Sequence, residues 1–328
     1  MPSGVADNRL TYVLMVLLPA LCACISNFSV LYPLEKADHR KGYNMRTAKF
    51  RVVSARAATA LSVALLAGPA LAQDGTDDSG NIVSDIIGGK SDYNIMIGVG
   101  PRTKPSYPGA DENKILPLPV INAWRDSERF PVSTPDESFG IALIGKRGKT
   151  SFGPTLSFAT QRKGDDAIEG LSDVGFGMEA GAFGETYLGK YFRIRGELRQ
   201  GLGGHKGLTG DLAADAVFRT ANDKFTGTLG PRLRWGNGKY NRAFFGVNEE
   251  DAAATGLDYY RPKSGIYAYG AMAGAYYQLS DRWGLFGYAG YDRLQGDAAD
   301  SPIVRDIGSR DQYSAGIAAT YTFKIKRK

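Results

Sequence analysis

The chain has 328 residues, enough for one large all-β domain or two ordinary domains, and its formal net charge is +6. Residues 1–72 hold eight basic and three acidic residues, whereas the remainder holds 32 basic and 31 acidic residues. Because the body is so close to neutral, it lacks the basic surface that nucleic-acid binding requires, and nucleic acid is excluded as a partner.

The first predicted element is a secretory signal peptide at residues 45–72. An apolar run of eleven residues, Ala57 to Ala67, follows a basic start that contains Arg46, Lys49, Arg51 and Arg56. The run is too short for a membrane-spanning helix, which needs about 20 residues. Ala70 and Ala72 then supply the small residues of a cleavage site before Gln73. An amphipathic surface helix is the alternative.

Residues 1–44 precede this signal and contain a second apolar run, Leu10 to Tyr32. Because a membrane anchor ahead of a complete signal peptide makes little physical sense, we interpret residues 1–44 as an over-extended start or leader. A lipoprotein acylated at Cys24 is the alternative. Cys22 and Cys24 are the two cysteines of the chain, so the exported body is expected to use neither disulfide nor thiol chemistry.

The body follows an acidic segment, residues 73–92, that predicts a flexible periplasmic lead-in. Glycine is abundant, and strand-like segments recur at regular spacing, which favours one closed β architecture over several domains. We predict an all-β fold, a transmembrane antiparallel β-barrel over residues 93–323 with about twelve strands. The predicted strands are 93–99, 115–124, 129–133, 138–144, 152–159, 174–183, 192–200, 212–218, 225–235, 266–277, 283–294 and 312–323. Ten strands are possible if the early segments that contain proline do not pair.

The last predicted strand has the clearest pattern. Small or polar residues alternate with an apolar row, which is Tyr313, Ala315, Ile317, Ala319, Tyr321 and Phe323. This alternation is typical of a strand with one face in lipid and the other in water. A half-buried strand of a soluble sandwich is the alternative. We interpret Tyr313, Ile317, Tyr321 and Phe323 as the signal that the barrel assembly machinery reads, and outer-membrane lipid as the surroundings.

The predicted connections alternate between short and long. Short turns at 145–149, 184–190, 221–224 and 279–281 alternate with longer loops at 160–173, 201–210, 236–264 and 295–310. In outer-membrane barrels the short turns face the periplasm and the long loops face outside. The pattern therefore predicts the cell outer membrane of a Gram-negative bacterium.

Charged residues occupy one face of two predicted strands. Residues 192–200 place Arg193, Arg195, Glu197 and Arg199 on one face, and residues 225–235 place Arg232 and Arg234 on one face. Such charges belong in a polar lumen or in a network of ion pairs. Two interpretations stay open, a lumen biased toward anions and a packed network with Glu179, Glu197 and Asp215.

The sequence offers little catalytic chemistry. His205 is the one histidine beyond the predicted signal peptide, and it lies in the glycine-rich loop 203–207, where a local hydrogen bond is the favoured role. A single histidine without clustered ligands does not predict a metal site. We therefore expect no enzyme activity, no catalytic or metal-binding residues and no cofactor.

Several ordered motifs between Ile97 and Phe323 carry a family resemblance. They are Gly98-Val99-Gly100-Pro101-Arg102, Tyr107-Pro108-Gly109-Ala110-Asp111, Pro117-Leu118-Pro119, Leu171-Ser172-Asp173, the loop at His205, Gly230-Pro231-Arg232, Phe245-Gly246-Val247, Leu294 to Val304 and Tyr321-Thr322-Phe323. With these motifs the chain resembles the MipA/OmpV family of MltA-interacting outer-membrane proteins.

The resemblance implies an outer-membrane scaffold that links a lytic transglycosylase to a penicillin-binding murein synthase, and thus a hydrolase and a synthase of peptidoglycan. A narrow anion-biased channel and an adhesin are the alternative functions. The chain departs from the family in its basic tail, residues 324–328, which extends past the usual terminal phenylalanine.

Overall fold

The computed structural model describes residues 92–164 and 167–326. The predicted leader, the signal peptide with Ala70 and Ala72, and all but the last residue of the lead-in lie outside these ranges. No helix in the described ranges is long and apolar enough to cross a membrane.

Twelve strands form one antiparallel sheet. Their bounds are β1 Tyr93–Pro105, β2 Asn113–Arg125, β3 Phe139–Gly140, β4 Ile144–Gly145, β5 Thr150–Ala159, β6 Gly177–Leu188, β7 Phe192–Gly201, β8 Leu208–Arg219, β9 Phe225–Gly236, β10 Gly265–Gln278, β11 Trp283–Leu294 and β12 Asp311–Ile325. Strands that follow each other from β5 to β12 are neighbours in the sheet, and β1 pairs with both β2 and β12. The pairing of the first strand with the last curls the sheet into a barrel and confirms the predicted fold class.

One predicted strand is wrong. Residues 129–133 form no strand, because they turn inward, and the predicted strand at 138–144 consists of two short pieces, β3 and β4, which both pair with β5. The prolines Pro131 and Pro135 remove backbone donors that a ladder would need. The early segments around Pro117 and Pro119 do pair, as β2.

The two faces of the sheet differ in polarity, as β7 illustrates. Its outward residues Phe192 and Leu198 are 56% and 51% exposed, whereas Arg193 is 1% exposed. Side chains alternate between the two faces of a strand. The apolar row therefore lies outside and the charged row inside.

Short turns gather at one end of the barrel and long loops at the other. The turns 146–149, 189–191, 220–224 and 279–282 define the short-turn end, where the start of β1 pairs with the end of β12. At the opposite end the long loops fold into a structured layer that we call the cap, which consists of residues 106–112, 160–164, 167–176, 237–264 and 295–310. It contains the helices α1 Gly238–Phe245, α2 Glu249–Thr255 and α3 Pro302–Asp306 and the 3-10 helix Gly296–Ala298.

The cap has its own apolar core and internal hydrogen bonds. Phe245, Val247 and Ile303 are fully buried in it. The Ser301 hydroxyl donates to the Phe245 carbonyl at 2.7 Å, and Nη1 of Arg162 donates to the Phe244 carbonyl at 2.8 Å. Because side chains of the cap donate hydrogen bonds to its backbone carbonyls and its apolar residues are buried, the cap is a packed layer over the barrel interior.

The barrel wall has one gap in its backbone hydrogen bonding between strands, which we call the seam. In the described strand order, β2 and β3 are the two edges of the sheet, and no register joins them. Ten antiparallel steps separate these edges, so the two edge strands run in the same direction. The chain reaches β3 from β2 through residues 126–138, which we call the inner segment. Across the seam, Nη1 of Arg147 donates to the carbonyl of Ala123.

Three strands contain a Gly-Pro step, at Gly100–Pro101, Gly153–Pro154 and Gly230–Pro231. A Cβ atom at each glycine would overlap a backbone carbonyl oxygen of a neighbouring segment, at Ile317, Ile141 or Ala214 respectively. The pairing register of β1 with β12 and of β8 with β9 is interrupted at these steps. Glycine is therefore required by the close approach of the backbone.

We expect Gly230→Ala to destabilise the barrel by about 1–3 kcal/mol, because the added methyl group must push the Ala214 carbonyl aside. For a domain of this size this corresponds to a fall in Tm of several degrees, on the order of 2–4 °C per kcal/mol. The measurement is heat unfolding in detergent, followed by circular dichroism.

Gly287→Ala in β11 is the matched control, since the nearest atom to its added Cβ, apart from adjacent residues of the chain, would be the Gly316 carbonyl oxygen at an ordinary 3.7 Å. Equal Tm values for the two variants would contradict this explanation of the Gly-Pro steps.

Candidate functional site: the interior charge network

The candidate site is a network of ion pairs inside the barrel. Alternation along β7 directs Arg193, Arg195, Glu197 and Arg199 inward, and β9 contributes Arg232 and Arg234. The inner segment supplies Asp136 and Glu137 from the lumen side. The strands and the inner segment thus form hydrogen bonds between residues that are up to 98 positions apart in the chain, as in Arg234 and Asp136.

Arg193 is held by three carboxylates. Its Nη2 lies 2.8 Å from Oε2 of Glu185 and 2.9 Å from Oε2 of Glu137, and its Nη1 lies 3.6 Å from Oδ2 of Asp215. The side chains of Arg193 and Asp215 are 1% and 0% exposed. A buried charge of this kind is tolerated only when it is paired and hydrogen-bonded.

Glu197 joins the two other arginines of β7. Nη2 of Arg195 lies 2.7 Å from Oε1 of Glu197, and Nη1 of Arg199 contacts its Oε2 at 2.5 Å. Arg199 also contacts Oε2 of Glu179 at 2.7 Å, and Glu197 accepts a hydrogen bond from the Ser138 hydroxyl at 2.6 Å. The bonds of Ser138 fix the end of the inner segment at the point where the chain enters the wall as β3.

The arginines of β9 complete the network. Nε of Arg232 lies 2.8 Å from Oδ2 of Asp136, and its Nη1 lies 2.9 Å from Oδ1 of Asp215. Arg234 contacts Oδ2 of Asp292 at 3.0 Å and Oδ1 of Asp211 at 3.2 Å.

The charge balance of the network follows from these contacts. Five guanidinium groups meet eight carboxylates, which are Asp136, Glu137, Glu179, Glu185, Glu197, Asp211, Asp215 and Asp292. The excess of carboxylates opposes an anion-biased interior, and the packed network is the interpretation that these contacts favour. Asp136 and Glu137 fall between the predicted strands 129–133 and 138–144, so the sequence analysis did not identify them as part of the network. Pro131 and Pro135 were the signal in the sequence that this segment leaves the sheet.

Two small cavities lie inside the barrel. A cavity of about 10 Å³ is lined by Asp136, Arg195, Asp211 and Arg232, and another of about 20 Å³ lies beside Phe130 and Tyr276. Each volume has room for about one water molecule. Phe130 of the inner segment stacks on Tyr276 with ring centroids 4.3 Å apart, so the inner segment fills the interior with apolar as well as charged side chains.

His205 connects the network to the cap. Its Nδ1 accepts from the backbone N–H of Gly207 at 3.0 Å, so Nε2 carries the proton and donates to Oε1 of Glu179 at 2.9 Å. The ring packs edge-on against Tyr240 of α1, whose pKa is raised by burial. These contacts match the local hydrogen-bonding role expected from the sequence. Within the described ranges, no cluster of three or more His, Cys, Asp or Glu side chains is arranged to hold a metal ion.

The residues of the predicted assembly signal lie on the outer face of β12. Tyr313, Ile317 and Phe323 are 60%, 50% and 46% exposed, and Tyr321 packs edge-on against Trp283 at 4.9 Å. Whether assembly machinery reads them stays a prediction.

The basic tail begins at the short-turn end. Nζ of Lys324 lies 3.5 Å from Oδ1 of Asp126, the first residue of the inner segment. A hydrogen bond from Asn94 and the charge of Lys324 hold the pKa of the Asp126 carboxyl below its usual value.

Comparisons with known proteins identify a family that spans nearly the whole barrel. The family described as "MltA-interacting protein MipA" matches residues 97–323. The chain is 29% identical over 236 residues to the MltA-interacting protein of Escherichia coli (strain K12), an alignment that covers 70% of this chain and 90% of that protein. It is 33% identical over 84 residues to outer membrane protein OmpV of Vibrio cholerae serotype O1, which covers 26% of this chain and 31% of that protein. Among solved structures, neisserial surface protein A aligns with 72% of this chain and 100% of its own, at 10% identity and a TM-score of 0.22.

We expect Arg193→Met to destabilise the folded barrel by about 3–5 kcal/mol, because three carboxylates lose their shared cation in a buried site. Heat or urea unfolding in detergent measures the change. Arg305→Met is the control, since Arg305 pairs with Asp258 and Asp306 at the surface, and its unfolding midpoint should be unchanged. A similar midpoint for both variants would show that the network contributes little to stability.

Proposed function

Because the chain belongs to the MltA-interacting protein MipA family, we propose that it is a scaffold that holds a murein-degrading lytic transglycosylase and a penicillin-binding murein synthase together. The observation that carries the proposal is the family match, which spans residues 97–323 and therefore nearly the whole barrel. The protein lies in the outer membrane, as the OmpV relative's name and the architecture of strands with an apolar exterior indicate.

The filled interior supports a role at the surface of the barrel. The network and the inner segment place paired charges and stacked rings inside the barrel, and the cap adds its own apolar core at the long-loop end. A scaffold needs a rigid frame with exposed ends, and an interior fixed by many ion pairs provides such a frame.

In this proposal the short-turn end faces the periplasm, where murein enzymes work. That end carries the start of β1 and Lys324 and Lys326 of the basic tail, together with exposed cations on three separate turns, Lys146, Lys190 and Lys224. A partner with an acidic surface fits it, because opposite charges speed up association and fix the orientation of the complex.

The purified barrel in detergent should bind purified MltA, the transglycosylase in the name of its relatives. We expect the double variant Lys190→Glu/Lys224→Glu, at the short-turn end, to weaken binding about tenfold, or by roughly 1.4 kcal/mol. Thermophoresis at two salt concentrations measures both the affinity and its electrostatic part.

Lys239→Glu/Lys263→Glu is the matched control, because it makes the same charge change at exposed positions of the cap. No binding by the unaltered protein would reject the transglycosylase as a partner. Equal losses in both double variants would reject the short-turn end as the contact surface.

The channel alternative makes a different prediction. We expect the purified protein to be silent in a planar lipid bilayer, because the ion pairs of the network and the stacked rings of Phe130 and Tyr276 lie inside the barrel. Conductance recordings in symmetric salt measure this. Stable anion-selective steps would support the channel and oppose the scaffold.

A further inference from the structure

Three aromatic side chains on the outer face of the barrel, Trp283, Tyr321 and Phe323, form what we call the aromatic cluster at the short-turn end. Trp283 of β11 and Tyr321 of β12 are directly opposite each other in the register, and their ring centroids are 4.9 Å apart. Phe323 packs edge-on against Tyr321 at 4.8 Å. Trp283 and Phe323 are 53% and 46% exposed, so the aromatic cluster is open to the surroundings of the barrel. Aromatic rings of this kind concentrate at the level of the lipid headgroups.

The turn between β10 and β11 places a guanidinium beside the aromatic cluster. Nη1 of Arg282 donates to the Tyr321 hydroxyl at 3.1 Å, and the backbone N–H of Thr322 donates to the Arg282 carbonyl at 2.7 Å. Within the turn, the backbone N–H of Trp283 donates to the Ser280 hydroxyl at 3.1 Å. These bonds hold the turn, and with it Arg282, in a fixed position next to β12.

Arg282 differs from the arginines of the network because its charge is not matched by a carboxylate. Among the residues that the structure describes, no Asp or Glu oxygen lies within ion-pair distance of its guanidinium. Its side chain is exposed. The Tyr321 hydroxyl accepts the hydrogen bond from Arg282, so its own O–H is free to donate to another group. The two side chains therefore present N–H and O–H donors and one positive charge at the outer surface.

We propose that Arg282 and Tyr321 form a binding site for the phosphate of an anionic phospholipid, whose acyl chains pack against the aromatic cluster. A guanidinium binds two phosphate oxygens through parallel N–H groups, and the Tyr321 O–H adds a third hydrogen bond. Because short turns of outer-membrane barrels face the periplasm, the lipid belongs to the inner leaflet.

The location of the site favours a lipid over other anions. The aromatic cluster belongs to the apolar face of the wall, and a phospholipid carries its phosphate directly next to hydrocarbon. An anionic headgroup fits better than a zwitterionic one, because no ammonium group of the lipid repels Arg282. The site does not depend on the scaffold role, and it is present whether or not a murein enzyme binds.

The test is quenching of tryptophan fluorescence in vesicles by phospholipids with brominated acyl chains. Trp283 is the reporter. The Trp235→Phe background removes the tryptophan on the outer face of β9, and Trp124 packs against Phe130 of the inner segment. Vesicles of phosphatidylglycerol and phosphatidylcholine in equal amounts carry the bromine on one lipid or on the other. We expect phosphatidylglycerol to occupy the site about fivefold more often than phosphatidylcholine, which is the preference that one cation near the membrane surface provides.

Arg282→Gln should lower this preference to near one. Tyr321→Phe should also lower it, because it keeps the ring and removes the hydroxyl. Lys190→Gln is the matched control, since it removes an exposed positive charge beside the exposed Tyr191 at another short turn, and it should keep the full preference. Each variant is compared with itself in vesicles without bromine.

Three outcomes would overturn the proposal. The first is equal quenching by the two brominated lipids in the otherwise unaltered Trp235→Phe protein. The second is an unchanged preference in Arg282→Gln. The third is an equal loss in Arg282→Gln and Lys190→Gln, because that result would assign the preference to the general charge of the short-turn end.

Discussion

The interior arginines impose the constraint on which the rest of the structure depends. A strand that turns its apolar residues to lipid must turn its other residues inward, and on β7 these include three arginines. A guanidinium in that position needs carboxylates within hydrogen-bonding distance. The neighbouring strands supply Glu179, Glu185, Asp211 and Asp215. The inner segment supplies two further carboxylates, Asp136 and Glu137.

The wall of the barrel was predictable from the sequence, because each strand carries its own alternation. In β7 and β12, apolar and polar residues alternate. This pattern alone indicates which face of the strand meets lipid, and the neighbouring strands need not be known. The alternation of short turns and long loops likewise follows from the spacing of strands along the chain, and the structure has the same alternation.

The inner segment and the cap were not predictable in the same way. Asp136 and Glu137 acquire their partners from strands more than 50 residues away, and no local pattern encodes that distance. The strand predicted at 129–133 contains Pro131, and the contacts of Phe130 with Arg219 and Tyr276 favour an inward path. His205 links the network to the cap through its hydrogen bond to Glu179 and its edge-on contact with Tyr240, whereas its glycine-rich loop predicted only a local hydrogen bond.

The seam gives the inner segment a structural role that backbone pairing has elsewhere in the wall. Its two edge strands point the same way, so a tight hairpin cannot connect them, and residues 126–138 join them instead. Neighbouring strands are held together by backbone hydrogen bonds in the rest of the barrel, whereas at the seam side-chain contacts such as that of Arg147 with the Ala123 carbonyl bridge the two edges.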